Sequence, residues 1–250
     1  MVDLPKYDLS VVVCSKNNNF ELQRTISSLF SCKNVEIVVV TAEIDDLKLQ
    51  GLTDYMPNIR FFKDSGDGIY SAMNLGIKMA TGIYILFLNA GDELYSSVAL
   101  MDLVAKITKT NASWGFGQTL ILKSNGNFRI TNLRKYSLFL NFLSIIFVPH
   151  PSTIYRRQYI MQIEGYDLNY KIAADQKLSL QFALDSKPEI ANDVISVFRL
   201  GGVSSRKNIE IIRDFKRIFT ELNVYIMPKY LINIFFGLVY LLRLVRFRKF

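Results

Sequence analysis

Four short apolar segments, each followed by small or polar residues, constrain the fold of this chain more than any other feature. They are residues 9–15, 35–42, 59–64 and 83–88, and segments with helical spacing of apolar residues follow the first and the third. A continuous apolar run is typical of a strand buried on both faces, and strands that alternate with helices form parallel sheets. The sequence therefore predicts an α/β, Rossmann-like fold with a mostly parallel central sheet and helices on both faces.

The carboxyl ends of parallel strands meet at one edge of the sheet, and ligands bind at that edge. The turns after Ser15, Thr41, Asp64 and Leu88 are expected there, and the last of these turns reads NAGD and ends with Asp92. An aspartate at such an edge suits a divalent cation, and the cation in turn suits a diphosphate. The alternative is that Asp92 only terminates a strand in a turn.

The excess positive charge of the chain lies near its C-terminus. Residues 1–198 contain 19 Lys and Arg against 19 Asp and Glu, whereas residues 199–250 contain 11 basic and 3 acidic residues. The apolar stretch at 230–242 is 13 residues long, which is short of the roughly 20 residues that span a bilayer. Four basic residues follow this stretch, namely Arg243, Arg246, Arg248 and Lys249.

This tail pattern favours a helix that lies in the interface of an anionic membrane, through residues 229–250. The alternative is a tail that packs on the protein or forms an oligomer contact. No nucleic-acid partner is expected, because the basic residues are interleaved with Leu, Val and Phe instead of lining a groove. The N-terminus lacks the apolar core of a signal peptide, and Cys14 and Cys32 match no disulfide framework or metal spacing, so a cytoplasmic location is expected.

The segment DGIYSAMNLGIKMATGIYILFLNAGDEL, residues 67–94, resembles a stretch typical of glycosyltransferase family 2, whose members have the GT-A fold. LSVVVCSKNN resembles the first strand and loop of that family. The segment HPSTIYRRQYIMQIEGYDLNYKIAADQKL resembles the acceptor-side block of its bacterial surface-polysaccharide members, of the colanic acid or O-antigen type, and GGVSS resembles a turn of the same subgroup. The resemblance covers roughly residues 8–205, and the order and spacing of its motifs make it specific.

The resemblance implies a nucleotide-sugar donor, expected to be a UDP-sugar, and a divalent cation, Mn²⁺ or Mg²⁺. Asp92 matches the last carboxylate of the metal motif and is the expected metal ligand. A glycine beside it lets phosphates approach the backbone, and the preceding Asn side chain can hydrogen-bond a ribose hydroxyl. The residues expected to bind the nucleotide-sugar are Ser15, Asn17, Thr41, Asp67, Asn74, Asn89, Ala90 and Gly91.

The acceptor-side match implies that Asp175 is the catalytic base of an inverting single displacement. Its alternative role is N-capping of a helix expected to begin near Ala174. His150, Gly202 and Ser204 are expected on the acceptor side, although a packed structural role for His150 is an equal alternative. The implied acceptor is a polyprenyl-diphosphate-linked sugar or an oligosaccharide in O-antigen, capsule or exopolysaccharide biosynthesis, used at the inner face of the bacterial plasma membrane.

Two positions depart from the family pattern. Thr41 stands where the family usually has Asp after the second strand, and Asn89 stands where the metal motif usually begins with Asp. These departures keep a second class open, a membrane-docked binding protein that has the GT-A fold and little or no catalytic activity.

The expected domain organisation is a GT-A catalytic domain followed by a tail. Residues 1–205 form the catalytic domain, with a nucleotide-binding half at about 1–95 and an acceptor-side half at about 96–205. Residues 206–250 form a basic, hydrophobic, membrane-associating helical tail.

Overall fold

The computed structural model describes most of the chain, namely residues 7–16, 19–32, 34–42, 56–123, 125–131, 136–142, 146–200 and 208–222. The strands, numbered along these residues, are β1 Leu9–Ser15, β2 Val35–Thr41, β3 Ile59–Lys63, β4 Tyr84–Phe87, β5 Glu93–Leu94, β6 Trp114–Leu122, β7 Phe128–Ile130, β8 Thr153–Arg156 and β9 Glu189–Arg199. The helices are α1 Asn19–Ser28, α2 Ile69–Met79, α3 Ser97–Thr110, α4 Leu138–Phe142, α5 Arg157–Gln162, α6 Ala174–Asp185 and α7 Asn208–Glu221.

All nine strands of the described residues belong to one sheet, in the order β3-β2-β1-β4-β8-β6-β9-β5, with β7 paired to β6. The four strands predicted from the apolar runs, β1 to β4, are mutually parallel, so that Val11 pairs with Ile37 on one side and Leu86 on the other. Strand β8 joins the sheet antiparallel to β4 and β6. The predicted α/β fold with a mostly parallel sheet is therefore confirmed.

Hydrophobic cores cover both faces of this sheet. Val11 and Val13 of β1 lie in a cluster with apolar residues of α1 and α3, whereas Val12 and Cys14 lie in a second cluster with residues of α2, α6 and α7. This division follows from the strand geometry, because successive side chains point to opposite faces. Strands buried on both faces explain why the sequence shows continuous apolar runs instead of alternation.

Local signals in the sequence also determine several element ends. Ser96 caps α3 by accepting a hydrogen bond from the backbone amide of Ala99 at 3.1 Å, as a Ser at this position predicts. The predicted Asn125–Gly126 turn lies between the antiparallel strands β6 and β7, and Gly126 has a φ of 82°. A positive φ at this position is readily adopted by glycine.

A buried carboxylate joins β1, β2 and β3 to the turn that follows α2. Glu36 of β2 is 2% exposed, accepts hydrogen bonds from the backbone amide of Thr81 at 2.7 Å and from Ser10 Oγ, and forms an ion pair with Arg60. Burial alone would raise the pKa of Glu36. The hydrogen bonds from Ser10 and Thr81, together with the Arg60 guanidinium, outweigh burial and hold that pKa below its usual value.

Helix α7 is the part of the expected tail that the structure describes. Its side chains Phe215, Ile218 and Phe219 are buried in the same core as residues of α2 and α6, so α7 packs on the domain that contains the sheet. Residues 229–250, the expected membrane contact, lie outside the described residues. Among the described residues, no helix combines the length and apolar character needed to cross a bilayer.

Candidate active site

The carboxyl edge of the parallel strands brings together three of the predicted donor-binding positions. Ser15 and Thr41 are paired in the register of β1 and β2, and both are buried. The amide of Ala90 donates a hydrogen bond to the Cys14 carbonyl at 2.9 Å, which holds the NAGD turn beside the end of β1. Within the described part of the chain, Ser15 Oγ has no hydrogen-bond partner, so it can hydrogen-bond a ligand at this edge.

Helix α1 shapes the NAGD turn. The hydroxyl of Thr25 accepts a hydrogen bond from the Gly91 amide at 3.0 Å and donates one to the Asp92 carbonyl at 2.7 Å. Arg24 donates to the Gly91 carbonyl at 3.2 Å. Gly91 has a φ of 104°, and a β-carbon added there would lie 3.0 Å from a carboxylate oxygen of Glu21.

Sequence reasoning missed these α1 contacts. One face of α1 carries polar residues at the i, i+4, i+7 spacing, namely Glu21, Thr25 and Ser28. These residues lie beside buried Leu22 and Ile26, and this pattern is the sequence signal that could have identified the α1 contacts.

Asp92 is 8% exposed, and the pKa of its buried carboxyl group is shifted. Burial raises its pKa to about 8, and the nearby Glu21 carboxylate adds to the increase, while the Asn89 backbone amide and Arg24 oppose it. Glu93 also raises this pKa, although Glu93 itself pairs with Arg24 at 3.0 Å and Arg199 at 2.7 Å. A cation bound at Asp92 would favour the charged carboxylate and offset this burial cost.

The residues around Asp92 fit a hard cation in part. The side-chain oxygen of Asn89 is buried and has no hydrogen-bond partner among the described residues, so it is a second candidate ligand. The described residues contain no cluster of three or more His, Cys, Asp or Glu side chains that could hold a metal ion. A cation at this turn would therefore need oxygen ligands from a bound diphosphate and from water.

Asp175 lies in the first turn of α6 and is linked to α2. The Tyr70 hydroxyl, on α2, shares its one hydrogen between the Ile172 carbonyl, the nearer acceptor, and Asp175 Oδ1 at 3.2 Å. The N-cap of α6 is Ala173, so Asp175 is not the N-cap residue. Burial beside Asp175 raises the pKa of Tyr70 far above its usual value, so the phenol remains a hydrogen-bond donor.

His150 lies near this carboxylate within a group of aromatic rings. Its Nε2 is 2.8 Å from the Tyr166 hydroxyl, and its ring stacks on Phe87 with a centroid distance of 5.6 Å. Burial lowers the pKa of His150, and the Asp175 charge opposes this shift in part. The lowered pKa favours the neutral imidazole, which suits a packed, structural role for His150.

The segment DGIYSAMN, residues 67–74, is called the DGIY block, and its predicted donor-binding residues lie in different environments. Asp67 is exposed in the loop before α2. Asn74, in contrast, accepts a hydrogen bond from the Tyr166 amide at 2.8 Å and donates one to the Tyr166 carbonyl at 2.9 Å. A β-carbon at Gly165, where φ is 78°, would collide with the Asn74 side-chain oxygen. The Asn74 amide is thus engaged in holding the turn at Tyr166.

Three other predicted site residues, Asn17, Gly202 and Ser204, lie outside the described residues. Most of the remaining ones form two groups, and Asp67 and Asn74 belong to neither. One group is the NAGD turn with the ends of β1 and β2, and the other surrounds Asp175.

A mostly parallel sheet with helices on both faces and an acidic turn at its carboxyl edge is the arrangement of an α/β protein with the GT-A fold. Solved structures support this class: S. aureus TarS, residues 1–349, in complex with UDP-GlcNAc, superimposes with a TM-score of 0.68 at 18% identity, over 92% of this chain and 70% of TarS. The mannosyltransferase PcManGT of Pyrobaculum calidifontis superimposes with a TM-score of 0.61 at 14% identity, over 87% of this chain and 65% of PcManGT.

The family model described as Glycosyl transferase family 2 matches residues 10–164, and the chain belongs to that family. An uncharacterized glycosyltransferase of Mycobacterium tuberculosis is 28% identical over 218 residues, which cover 84% of this chain and 82% of the relative. A PGL/p-HBAD biosynthesis glycosyltransferase of Mycobacterium bovis is 30% identical over 155 residues, which cover 60% of this chain and 59% of the relative. The protein is therefore a glycosyltransferase.

Proposed function

We propose that this glycosyltransferase transfers a sugar from a UDP-sugar to a hydroxyl group of a lipid-linked or oligosaccharide acceptor, with inversion at the anomeric carbon. The observation that carries this proposal is the hydrogen bond from Tyr70 to Asp175 at 3.2 Å. It joins α2, which follows the loop containing Asp67, to the carboxylate that the acceptor-side resemblance implies as the base. A base in this position can reach an acceptor hydroxyl while the donor occupies the sheet edge.

The donor half of the proposal rests on the NAGD turn. Gly91, with its positive φ and no side chain, lets a diphosphate approach the backbone. Ser15 Oγ, which has no hydrogen-bond partner among the described residues, can hydrogen-bond the nucleotide. Asp92 and Asn89 would hold Mn²⁺ or Mg²⁺, which when bound offsets the negative charge that develops on the departing diphosphate. TarS in complex with UDP and with UDP-GlcNAc, and PcManGT in complex with GDP-Man and Mn²⁺, support a nucleotide-sugar and a metal here.

The transfer is a single displacement in which Asp175 accepts a proton. The acceptor oxygen forms a bond to the anomeric carbon from the face opposite the leaving group, and its proton passes to the Asp175 carboxylate. The bond from the anomeric carbon to the diphosphate oxygen breaks, and its electron pair leaves with the nucleoside diphosphate. Tyr70 orients the carboxylate by donating to one of its oxygens, which leaves the other oxygen available to the acceptor.

The acceptor and the location follow from the family resemblance and the tail. We infer a polyprenyl-diphosphate-linked sugar of surface-polysaccharide biosynthesis, used at the inner face of the plasma membrane. The basic, apolar residues 229–250 support this inference because a membrane-bound enzyme meets a membrane-bound acceptor without diffusion through the cytoplasm. The relative named for PGL/p-HBAD biosynthesis does not identify the acceptor of this chain.

A screen of nucleotide-sugars with Mn²⁺ or Mg²⁺, followed by synthetic lipid diphosphate acceptors, tests the proposal. Asp175→Asn should lower kcat at least about a hundredfold, as expected for loss of general-base catalysis, with nearly unchanged donor affinity. Asp102→Asn, an exposed change on α3, is the matched control and should retain the activity of the parent. Activity of Asp175→Asn within a few fold of the parent would reject Asp175 as the base.

A second candidate function, donor binding without transfer, is favoured by one observation. Asn89 stands where the family usually has Asp, so Asp92 is the single carboxylate of the NAGD turn, and one carboxylate holds a divalent cation less well than two. The same screen separates the two functions, because a binding protein would bind the nucleotide-sugar without hydrolysing or transferring it.

A further inference from the structure

Asp175 follows a short segment, residues 170–174, that contacts two helices. From α2, the Tyr70 hydroxyl bonds the Ile172 carbonyl and the Asp175 carboxylate. The other helix is α7, which the catalytic scheme above does not use. Ala173, the N-cap of α6, makes no side-chain cap hydrogen bond, so the start of α6 depends on contacts from elsewhere in the fold.

Glu221, at the end of α7, binds the chain on both sides of Asp175. One of its carboxylate oxygens accepts a hydrogen bond from the Tyr170 hydroxyl at 2.7 Å and forms an ion pair with Lys177 at 2.7 Å. Arg217, one turn earlier, pairs with Glu221 at 2.7 Å and lies over the Tyr170 ring at 4.6 Å from its centroid. Tyr170 and Lys177 are therefore held by a common carboxylate.

Asp214 completes the contact in the middle of the segment. Burial raises the pKa of Asp214, and interaction with the backbone amides of Ala173 and Ile172, which precede the first turn of α6, opposes that increase. A carboxylate at the start of a helix supplies a capping acceptor and a favourable interaction with the helix dipole. The next residue, Phe215, is 7% exposed and lies in the core, so the backbone beside Asp214 is fixed.

We propose that α7 is a positioning element for the catalytic base, in which Asp214 and Glu221 hold the start of α6 so that the Asp175 carboxylate faces the acceptor hydroxyl. The proposal rests on the proposed function of Asp175 as the base. A base misplaced by about 1 Å can cost about a hundredfold in rate, so contacts that touch neither substrate still control turnover. Asp214 and Glu221 are positioning residues, because they act through Asp175.

The test compares kcat and the donor KM of the full chain for Asp214→Ala, Asp214→Asn and Glu221→Gln. Asp214→Ala and Glu221→Gln should lower kcat roughly tenfold or more while the donor KM changes by less than about threefold, because the donor turn is unaffected. Asp214→Asn keeps an oxygen that accepts backbone hydrogen bonds and should recover most of the parent kcat. Arg213→Ala, an exposed change at the adjacent position of α7, is the control and should behave as the parent.

A double-mutant cycle distinguishes positioning from general destabilisation. In an Asp175→Asn background, Asp214→Ala should lower the residual kcat by less than about twofold, since the group that it positions is already absent. Equal losses in both backgrounds, or a kcat of Asp214→Ala and Glu221→Gln equal to that of the parent, would overturn the positioning role. If Asp175→Asn itself retains activity, the proposed base is wrong, which is a separate result from a failure of the α7 contacts.

Discussion

Replacing Asn74 by Ala should lower the free energy of unfolding without weakening donor binding. The resemblance to the family suggests a donor contact for this residue, but its amide forms two hydrogen bonds with the backbone of Tyr166, at 2.8 and 2.9 Å. Tyr166 is 2% exposed, so water cannot readily replace the lost partners. The Ala variant therefore leaves one amide and one carbonyl of the turn without their hydrogen bonds.

The expected cost can be worked out from these two bonds. A net hydrogen bond contributes about 0.5–1.5 kcal/mol, and a buried group left unsatisfied costs about 1–3 kcal/mol. The free energy of unfolding should therefore fall by about 2–4 kcal/mol for Asn74→Ala. Asn74→Asp should lose at least as much, because its second carboxylate oxygen would face the Tyr166 carbonyl.

Urea unfolding followed by circular dichroism measures the free energy of unfolding, and calorimetry with the UDP-sugar measures donor affinity. Asn192→Ala, an exposed change on β9, is the matched control and should alter the free energy of unfolding by less than about 0.5 kcal/mol. We expect the donor Kd of Asn74→Ala to remain within about twofold of the parent. A variant with parental stability and a donor Kd raised tenfold would refute the structural role and assign Asn74 to the nucleotide.

Three further predictions concern other parts of the chain. The pKa of Glu36 is lowered in the folded state, so its contribution to stability is fully present above its unfolded pKa of about 4.3 and is lost as pH falls through the folded pKa. Glu36→Gln should therefore lower the free energy of unfolding by about 2–3 kcal/mol at pH 7 and make that free energy less dependent on pH below about 4.3. Urea unfolding at a series of pH values measures both effects. Asp92→Ala and EDTA treatment of the parent should each abolish metal-dependent donor binding in calorimetry, and unchanged affinity in EDTA would exclude a metal at the NAGD turn. Removal of residues 229–250 should abolish flotation with anionic liposomes while donor hydrolysis remains, and equal flotation of the parent and truncated proteins would favour a packed tail.

Much of the fold could be predicted from the sequence, because it is encoded by local pattern. The apolar runs at β1, β2, β3 and β4 indicate strands buried on both faces, and the structure confirms that they are parallel neighbours. The cap at Ser96 follows from side-chain chemistry within a few residues, and the helix at 174–185 begins where the sequence predicts one, near Ala174. The carboxyl-edge location of Ser15, Thr41 and the NAGD turn follows directly from parallel pairing.

The roles of individual polar side chains could not be predicted in the same way. Asn74 and Tyr166 are 92 residues apart in sequence, and Tyr70 and Asp175 are 105 apart. A local pattern cannot specify which of many distant hydrogen-bond partners a side chain will meet, because that choice depends on how helices pack on the finished sheet. The sequence predicts that both Asp67 and Asn74 bind the donor, yet Asp67 is exposed in the structure, whereas Asn74 is hydrogen-bonded to the Tyr166 backbone.

The sequence by itself determined that this chain is an α/β protein with buried parallel strands, since residue periodicity fixes such strands. The GT-A fold was implied by the resemblance of its short motifs to a known family. Only the tertiary structure decided that α1 shapes the NAGD turn through Thr25 and that α7 contacts the start of α6 through Glu221. The physical reason is that these contacts are made by polar groups on helices that hydrophobic burial brings against the sheet. Hydrophobic burial determines where each helix lies, and polar groups that are then close together form hydrogen bonds. A local stretch of sequence does not specify which distant groups come close together.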